Sequence, residues 1–328
     1  MAKISNISKT TVFRIPRRFN WPLVIGGFAA LALVMMLGRW GALVADSAAY
    51  LDAARWLRGE LPLAEVKPPF SYRLGLPALA ALLPGELPHV FGTLNWIFVT
   101  ASALLATATM RLLGFGTQRA LAAGLLTILS LPTVWYAPCV LVDAGSLCMR
   151  TLFVFGVLTG RPGLALGAAL AGTAIREEDI LLLTWLIVND HVSKKRGLAA
   201  LAVAVLGLAG MHWLVGAPAP GWHFDTSHIT GLTADWRALV SLAACAGFVL
   251  PLALAGLRDA PARIRPLRSL LALMALPAVY AVLCARADGR IVWDMYPFML
   301  PFAVAFGMPR EQVEQKTQVT QLRTVRRA

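Results

Sequence analysis

Charged residues are scarce in this chain. Asp, Glu, Lys and Arg make up 14% of its 328 residues, whereas about a quarter is usual in water-soluble domains. Hydrophobic residues reach 58%, and the mean hydropathy is +0.67. This shortage of charge excludes an ordinary water-soluble fold. The composition predicts an all-α, polytopic membrane bundle, since helices satisfy their own backbone hydrogen bonds within lipid.

Nucleotide and hydrolase motifs are also lacking. The sequence contains no Walker loop and no GxGxxG, GxSxG or HExxH pattern, so it gives no support to chemistry on a soluble nucleotide. The four cysteines show no metal-ligand spacing and indicate nothing about the redox compartment. The sequence therefore identifies no cofactor with certainty. A divalent metal at His223, Asp225 and His228 stays open as an alternative, although we favour a solvated loop there.

Positive charge is abundant, with a net charge of +13. Our predicted topology places 20 of the 30 Lys and Arg residues on the cytoplasmic side, but only four of the 17 acids. Membrane proteins concentrate Lys and Arg in their cytoplasmic loops. The basic balance therefore requires no nucleic-acid partner, and the lipid bilayer is the partner that we expect.

Apolar runs organise the chain into one membrane domain. Residues 1–19 form a basic cytoplasmic arm, residues 20–308 a single transmembrane domain, and residues 309–328 a basic cytoplasmic tail that we expect to be disordered. The apolar runs predict about ten crossings, with short or broken helices among them. The run from Trp21 to Val44 is interpreted as a retained signal anchor, and Leu239 to Leu257 as a later crossing. Both termini are then cytoplasmic.

The outer loop at residues 46–73 interrupts the apolar pattern with charge. If a helix begins after Asp46, residues at helical spacing form one apolar face. That face consists of Tyr50, Ala53, Ala54 and Leu57. Such a helix is typical of one that lies on a membrane surface.

Each charged group near the outer surface has an interpretation other than function. Asp46 lies where a helix N-cap is expected, and Arg73 lies where it could be an interfacial anchor. Asp143 and Arg150 lie two turns apart and are placed to form an internal ion pair. For Arg176 to Asp179 we favour a hydrated turn over a binding site. Charged residues in membrane segments are nonetheless functional candidates by default, so these alternatives stay open.

Short motifs recur where charge gathers. Asp46 to Tyr50 is D-x-x-x-Y, a turn at Gly59 to Pro62 ends the surface helix, PFSYRLGLPALAALLP follows, and Arg290 begins R-x5-YPFMLP. Together with Asp143 and the pair Arg176-Glu177, this arrangement resembles the GT-C superfamily of integral-membrane glycosyltransferases, which includes protein mannosyltransferases and the aminoarabinose transferase of lipid A. The resemblance covers most of residues 20–308.

The resemblance implies a polyprenyl-phosphate sugar as donor and transfer on the outer face of a bacterial inner membrane. It makes Asp46 the catalytic residue, as general base or as the group that orients the acceptor. The arginines expected to hold the donor phosphate are Arg73, Arg176 and Arg290. The other expected substrate-binding residues are Tyr50, Asp143 and Glu177. Many members of the superfamily carry an adjacent Asp-Glu pair where this chain has Asp46-Ser47, which leaves the role of Asp46 open.

We therefore expect a hexosyl or pentosyl transferase whose acceptor is a glycan, a lipid or a protein. The alternatives are a non-enzymatic transporter or lipid-handling protein, and an inactive relative of the superfamily. The gathering of charges at one membrane face favours the enzyme, because a transport path needs polar residues through the midplane. Apart from Arg150, few polar residues are expected there.

Overall fold

The fold is helical throughout the part of the chain that the structure describes. The computed structural model describes residues 19–66, 72–215, 236–284 and 288–308. These residues form α-helices, two short 3-10 segments and connecting turns, with no strand among them. The all-α prediction is thus confirmed for these residues. The tail, nearly all of the basic arm, and the candidate metal residues His223, Asp225 and His228 lie outside the described residues.

The described helices are numbered here in chain order. The first eight are α1 Trp21–Leu37, α2 Ser47–Leu57, α3 Gly75–Leu82, α4 Leu87–Leu112, α5 Thr117–Ile128, α6 Leu131–Trp135, α7 Asp143–Leu158 and α8 Pro162–Thr173. The others are α9 Ile180–Val188, α10 Lys194–Val215, α11 Trp236–Ala246, α12 Val249–Asp259, α13 Leu267–Cys284, α14 Arg290–Trp293 and α15 Tyr296–Ala305. The 3-10 segments are Leu63–Glu65 and Glu177–Asp179.

Two helices, α4 and α10, are long and apolar enough to cross a membrane. α11 and α12 add a third candidate if the two helices, bent by 52° at their break, count as one span. Shorter apolar helices have 10 to 17 residues, whereas a straight crossing takes about 20. The described residues therefore support a helical membrane protein with two or three candidate spans, and the predicted count of about ten is not supported.

The first apolar run shows why counting runs overestimates the crossings. α1 has 17 residues, because it ends before Gly38 instead of continuing to Val44. The chain then turns at Gly41, whose φ of +71° suits glycine best. The Gly41 N–H donates to the Pro138 carbonyl at 2.9 Å, which ties this turn to the segment before α7.

A second predicted crossing is also divided. Leu239 to Leu257 belongs to α11 and α12, which meet at Gly247 with φ of +46°. Apolar composition does not reveal such a break, because Gly247 and its neighbours are themselves apolar. The bend lets α12 pack along α15 while α11 contacts α14.

The core of the bundle is formed by α4, α7 and α15, which contact one another. α1 and α5 pack on α4, α8 packs on α7, and α12 packs on α15. Glycine permits the closest approach, since a Cβ at Gly256 of α12 would collide with the Phe302 carbonyl of α15. α10 is peripheral and leaves large apolar side chains such as Leu206 and Trp213 exposed, as expected of a surface that lipid covers.

The predicted surface helix exists as α2, and it packs on protein. Of the predicted apolar face, Tyr50, Ala53 and Ala54 are buried and Leu57 is exposed, and Leu51, which lies outside that face, is buried as well. The helix contacts α3 and α4. The face that was expected to meet the membrane is therefore turned, at least in part, toward the bundle.

Arg58 holds the end of α2 on the end of α3. Its guanidinium donates to the carbonyls of Ala80, Leu83 and Gly85, at 3.3, 2.6 and 3.0 Å. These carbonyls lie at or beyond the C-terminus of α3, where a cation is favoured by the helix dipole. The contact fixes the C-terminal end of α2 on α3.

Candidate functional site

Ion pairs collect the functional candidates into three clusters. The Arg290 cluster consists of Asp46, Tyr136, Asp288 and Arg290. The Arg73 cluster consists of Tyr50, Tyr72, Arg73 and Glu177. The buried cluster consists of Asp143, Arg150, Arg176, Glu178, Asp179 and Asp294. Every residue predicted from the sequence to form the site lies in one of the three, while the catalytic and binding roles stay predictions.

The Arg290 cluster joins the start of α14 to the start of α2. Arg290 donates from Nη1 to Oδ2 of Asp46 at 2.7 Å and from Nε to Oδ2 of Asp288 at 3.0 Å. Tyr136 donates its hydroxyl to Oδ1 of Asp288 at 2.6 Å. Among the residues that the structure describes, Nη2 of Arg290 has no hydrogen-bond partner, and the side chain is 20% exposed. A guanidinium with unused donors and some exposure is suited to bind an anion.

Asp46 occupies the capping position of α2 without acting as a cap, since its side chain makes no capping hydrogen bond. Ser47 fixes the local chain instead. Its Oγ accepts from the Val44 N–H and donates to the Val140 carbonyl, each at 2.9 Å. The capping interpretation of Asp46 is therefore wrong in this structure, and the carboxylate is engaged by Arg290 across 244 residues of chain.

Burial and charge together set the protonation of the Arg290 cluster. Burial acts to raise the pKa of Asp288, but the Arg290 guanidinium and the Tyr136 hydroxyl outweigh it and hold the pKa below its ordinary value. Burial and the bond to Asp288 raise the pKa of Tyr136. At neutral pH Asp288 is therefore a carboxylate and Tyr136 a neutral donor. This pair supports Arg290 independently of Asp46.

The Arg73 cluster is built around a two-point ion pair. Arg73 donates from Nε and Nη2 to the two carboxylate oxygens of Glu177, at 2.8 and 2.7 Å. Its Nη1 donates to the Tyr50 hydroxyl at 3.4 Å, and Tyr72 donates to Glu177 at 2.9 Å. Burial acts to raise the pKa of Glu177, but Arg73 outweighs it and the pKa lies below its ordinary value. The interpretation of Arg73 as an interfacial anchor gives way to an ion pair that joins the outer loop to the turn after α8.

Arg150 is the centre of the buried cluster, with a side chain that is 2% exposed. Its Nε donates to Oδ1 of Asp179 at 2.6 Å, and its Nη1 donates to the main-chain carbonyl of Asp294 at 3.2 Å. Its Nη2 lies 3.1 Å from Oε1 of Glu178. The predicted ion pair with Asp143 on the same helix is thus replaced by longer-range partners.

Arg176 connects the remaining acids of the buried cluster. Its Nη2 donates to Oδ1 of Asp143 at 3.0 Å, and its Nη1 donates to Glu178 at 3.1 Å and to Asp294. Both terminal nitrogens are therefore occupied by carboxylates. The prediction of a hydrated turn at residues 176–179 is wrong, because Asp179 is fully buried and the ion pairs of its neighbours hold the turn inside the bundle.

The buried cluster contains more acid than base, with four carboxyl groups around two guanidinium groups. Three of its carboxyl oxygens are buried without a hydrogen-bond partner in the described part of the chain. They are Oδ2 of Asp143, Oδ2 of Asp179 and Oδ1 of Asp294. Buried polar atoms normally have a partner, so these three oxygens are exceptions among the described residues. No group of three or more His, Cys, Asp and Glu among the described residues is arranged to hold a metal ion.

The three clusters adjoin through the backbone. Glu177 and Glu178 are neighbours in sequence, and they join the Arg73 cluster to the buried cluster. Arg290 and Asp294 are joined by a hydrogen bond from the Asp294 N–H to the Arg290 carbonyl at 3.0 Å. Asp288 and Asp294 lie in the charged stretch around Arg290, a signal that could have found them, whereas nothing in the sequence singles out Tyr136.

Comparison of the chain with protein-family models gives no match, and comparisons with curated proteins and with solved structures give none either. Function therefore has to be inferred from the three clusters. Their main chemical feature is a guanidinium with unused donors, beside a carboxylate, in an apolar helical bundle.

Proposed function

We propose that the protein is a multi-pass membrane glycosyltransferase, which moves a sugar from a polyprenyl-phosphate donor to an acceptor on the outer face of a bacterial inner membrane. The observation that supports this most strongly is the contact between Asp46 and Arg290, 2.7 Å apart. Glycosyl transfer from a lipid phosphate needs an acid-base group for the acceptor and a cation for the leaving phosphate. This pair supplies both.

The proposed reaction is a displacement at the anomeric carbon. The acceptor hydroxyl oxygen forms the new bond to that carbon, and Asp46 takes up the hydroxyl proton. The bond from the carbon to the phosphate oxygen breaks, and its electron pair leaves with the polyprenyl phosphate. Arg290 stabilises the negative charge that develops on this phosphate. A hydroxyl of a glycan, a lipid or a protein would serve equally as acceptor.

The geometry supports different proposed roles for the three arginines expected to bind phosphate. Arg290 uses two of its five N–H donors within the described residues, which leaves others for a ligand. Arg176 has carboxylates on both terminal nitrogens, and Arg73 has Glu177 on two of its three nitrogens. We therefore assign the phosphate to Arg290. Arg73 and Arg176, with Tyr50, Asp143 and Glu177, line and support the site.

The course of α10 supports a topology with cytoplasmic termini. Lys194 begins this helix, and near its other end His212 stacks on Tyr72 of the outer loop, with ring centroids 4.2 Å apart. A helix of 22 residues rises about 33 Å, close to the thickness of the hydrocarbon core. Lys194 and the outer loop would then face opposite sides. An impermeant thiol reagent should label a cysteine at Glu65, but not one at Lys194, in cells with a permeabilised outer membrane.

A binding experiment tests the proposed donor. Purified protein should bind farnesyl phosphate, a short polyprenyl phosphate, and Arg290→Ala should weaken binding by roughly 10-fold or more, because a charge-assisted hydrogen bond is lost. Arg55→Ala is the matched control, since Arg55 is exposed on α2 and, among the described residues, pairs only with Asp52, at 3.6 Å. Equal affinity for UDP-glucose, or no effect of Arg290→Ala, would contradict the proposal.

A transfer experiment tests the proposed catalytic residue. Asp46→Asn keeps the size of the side chain and removes the proton acceptor, so the rate of sugar transfer should fall by roughly 100-fold or more. The abundance of the variant in the membrane should not change. Lipid-phosphate binding without transfer to any acceptor would instead favour the lipid-handling alternative.

A further inference from the structure

The contact between Asp46 and Arg290 creates a conflict within the proposed reaction. Arg290 donates to Asp46 through Nη1, one of the two terminal nitrogens from which a phosphate would be held by two parallel hydrogen bonds. Asp46 in turn has no other hydrogen bond or ion pair among the described residues. While Asp46 and Arg290 are paired, the Asp46 carboxylate contacts the guanidinium instead of an acceptor hydroxyl.

We propose that the pair is the closed state of a switch, in which the phosphate of the donor replaces Asp46 on Arg290 and thereby frees Asp46 for the acceptor. This inference rests on the proposed function and adds an order of events to it. It also makes Asp288 and Tyr136 positioning residues, because they hold Arg290 while its partner is exchanged.

The surroundings of each partner suit such an exchange. Arg290 stays anchored through Nε by Asp288, which is itself held by the Tyr136 hydroxyl at 2.6 Å. The backbone next to Asp46 is anchored by the two hydrogen bonds of Ser47, so the Asp46 carboxylate can leave by rotation of its own side chain. Both side chains of the pair are about one-fifth exposed, at 20% and 21%, and an incoming anion can therefore reach them.

The exchange of Asp46 for phosphate on Arg290 frees Asp46 to act as a base once the donor is bound. While Asp46 is paired with Arg290, protonation of Asp46 would break that ion pair, so it is unfavourable. Once a phosphate occupies Arg290, that cost disappears, and the carboxylate is free to take up the proton of the acceptor hydroxyl. Donor binding then precedes activation of the acceptor.

The switch makes a prediction that a simple binding role for Asp46 does not make. If Asp46 competes with phosphate for Arg290, then Asp46→Asn should bind farnesyl phosphate more tightly than the wild-type protein, by roughly five-fold or more. Transfer by the same variant should fall. Farnesol, which lacks the phosphate, should bind both proteins equally. Asp52→Asn on the exposed face of α2 is the matched control and should leave the affinity unchanged.

The positioning role has its own readout. Asp288→Asn and Tyr136→Phe should weaken binding of farnesyl phosphate, because Arg290 loses its anchor, and Asp288→Glu should restore part of the affinity. Unchanged or weaker binding by Asp46→Asn would overturn the switch. If Arg290→Ala removes binding while Asp46→Asn fails to increase it, only the switch is wrong. If Arg290→Ala has no effect, the proposed function fails as well.

Discussion

Replacing Arg150 with methionine should strongly destabilise the bundle. The arginine is 2% exposed and bonds to Asp179 at 2.6 Å, and Asp179 is itself completely buried. Methionine fills a similar volume but leaves this carboxylate without its cation. Removing one partner of a buried ion pair costs about 3–5 kcal/mol. At about 2–4 °C per kcal/mol, the midpoint of thermal unfolding should fall by roughly 6 °C or more.

The assay uses cysteines that are buried in the folded protein. Cys139, Cys148 and Cys245 are buried and carry free thiols, so a thiol-reactive fluorophore reports unfolding in detergent as the sample is heated. Arg55→Met is the matched control, because Arg55 is half exposed and its loss should change stability by no more than about 0.5 kcal/mol.

A second substitution separates loss of the ion pair from poor packing. The double variant Arg150→Met with Asp179→Leu removes both members, and replacing a buried pair by apolar residues is often neutral or stabilising. The double variant should therefore unfold at a higher temperature than Arg150→Met alone. A single variant as stable as the wild-type protein, or a double variant less stable than the single one, would refute the reasoning.

Three further predictions follow from the packing and the ion pairs. Gly256→Ala should lower the midpoint of unfolding in the same thiol assay, because its Cβ would meet the Phe302 carbonyl, while Gly207→Ala should be tolerated because its surroundings are open. Arg58→Ala should free the end of α3 and increase proteolysis of the outer loop without affecting α10. The pKa values of Glu177 and Asp288 lie below their ordinary values, so both ion pairs stabilise the fold above about pH 4 and are lost as the pH falls further. The unfolding midpoint should accordingly drop between about pH 5 and pH 3, and it should drop less in Glu177→Gln.

Periodicity and length predicted much of the fold. The apolar composition predicted helices within a membrane bundle, and α4 and α10 are long and apolar enough to be such helices. The C-terminal end of α1 at Leu37 and the division between α11 and α12 were not predicted. The chain turns with positive φ at Gly41, after α1, and at Gly247, between α11 and α12, and a window of average hydropathy does not register a single glycine.

The residues of the candidate site were predicted better than their partners. Charge in an apolar chain marked Asp46, Arg73 and Arg290, but it did not show that Arg290 would meet Asp46 across 244 residues. Tyr136 carries no charge and lies in an apolar loop, so nothing distinguished it from neighbouring aromatic residues. Pairings of this kind arise from the packing of helices distant in sequence, and a single sequence carries no record of them.

The spacing of the partners of Arg150 also bears on how the protein is made. Asp179 follows Arg150 by 29 residues, whereas Asp294 follows it by 144. Arg150 therefore gains its first counterion once α7, α8 and the turn after them have been made, and Asp294 only after a much longer stretch of chain. If α7 lies within the membrane, where an uncompensated guanidinium at the centre of a helix costs about 2.5–3.5 kcal/mol, the early arrival of Asp179 lowers that cost during insertion.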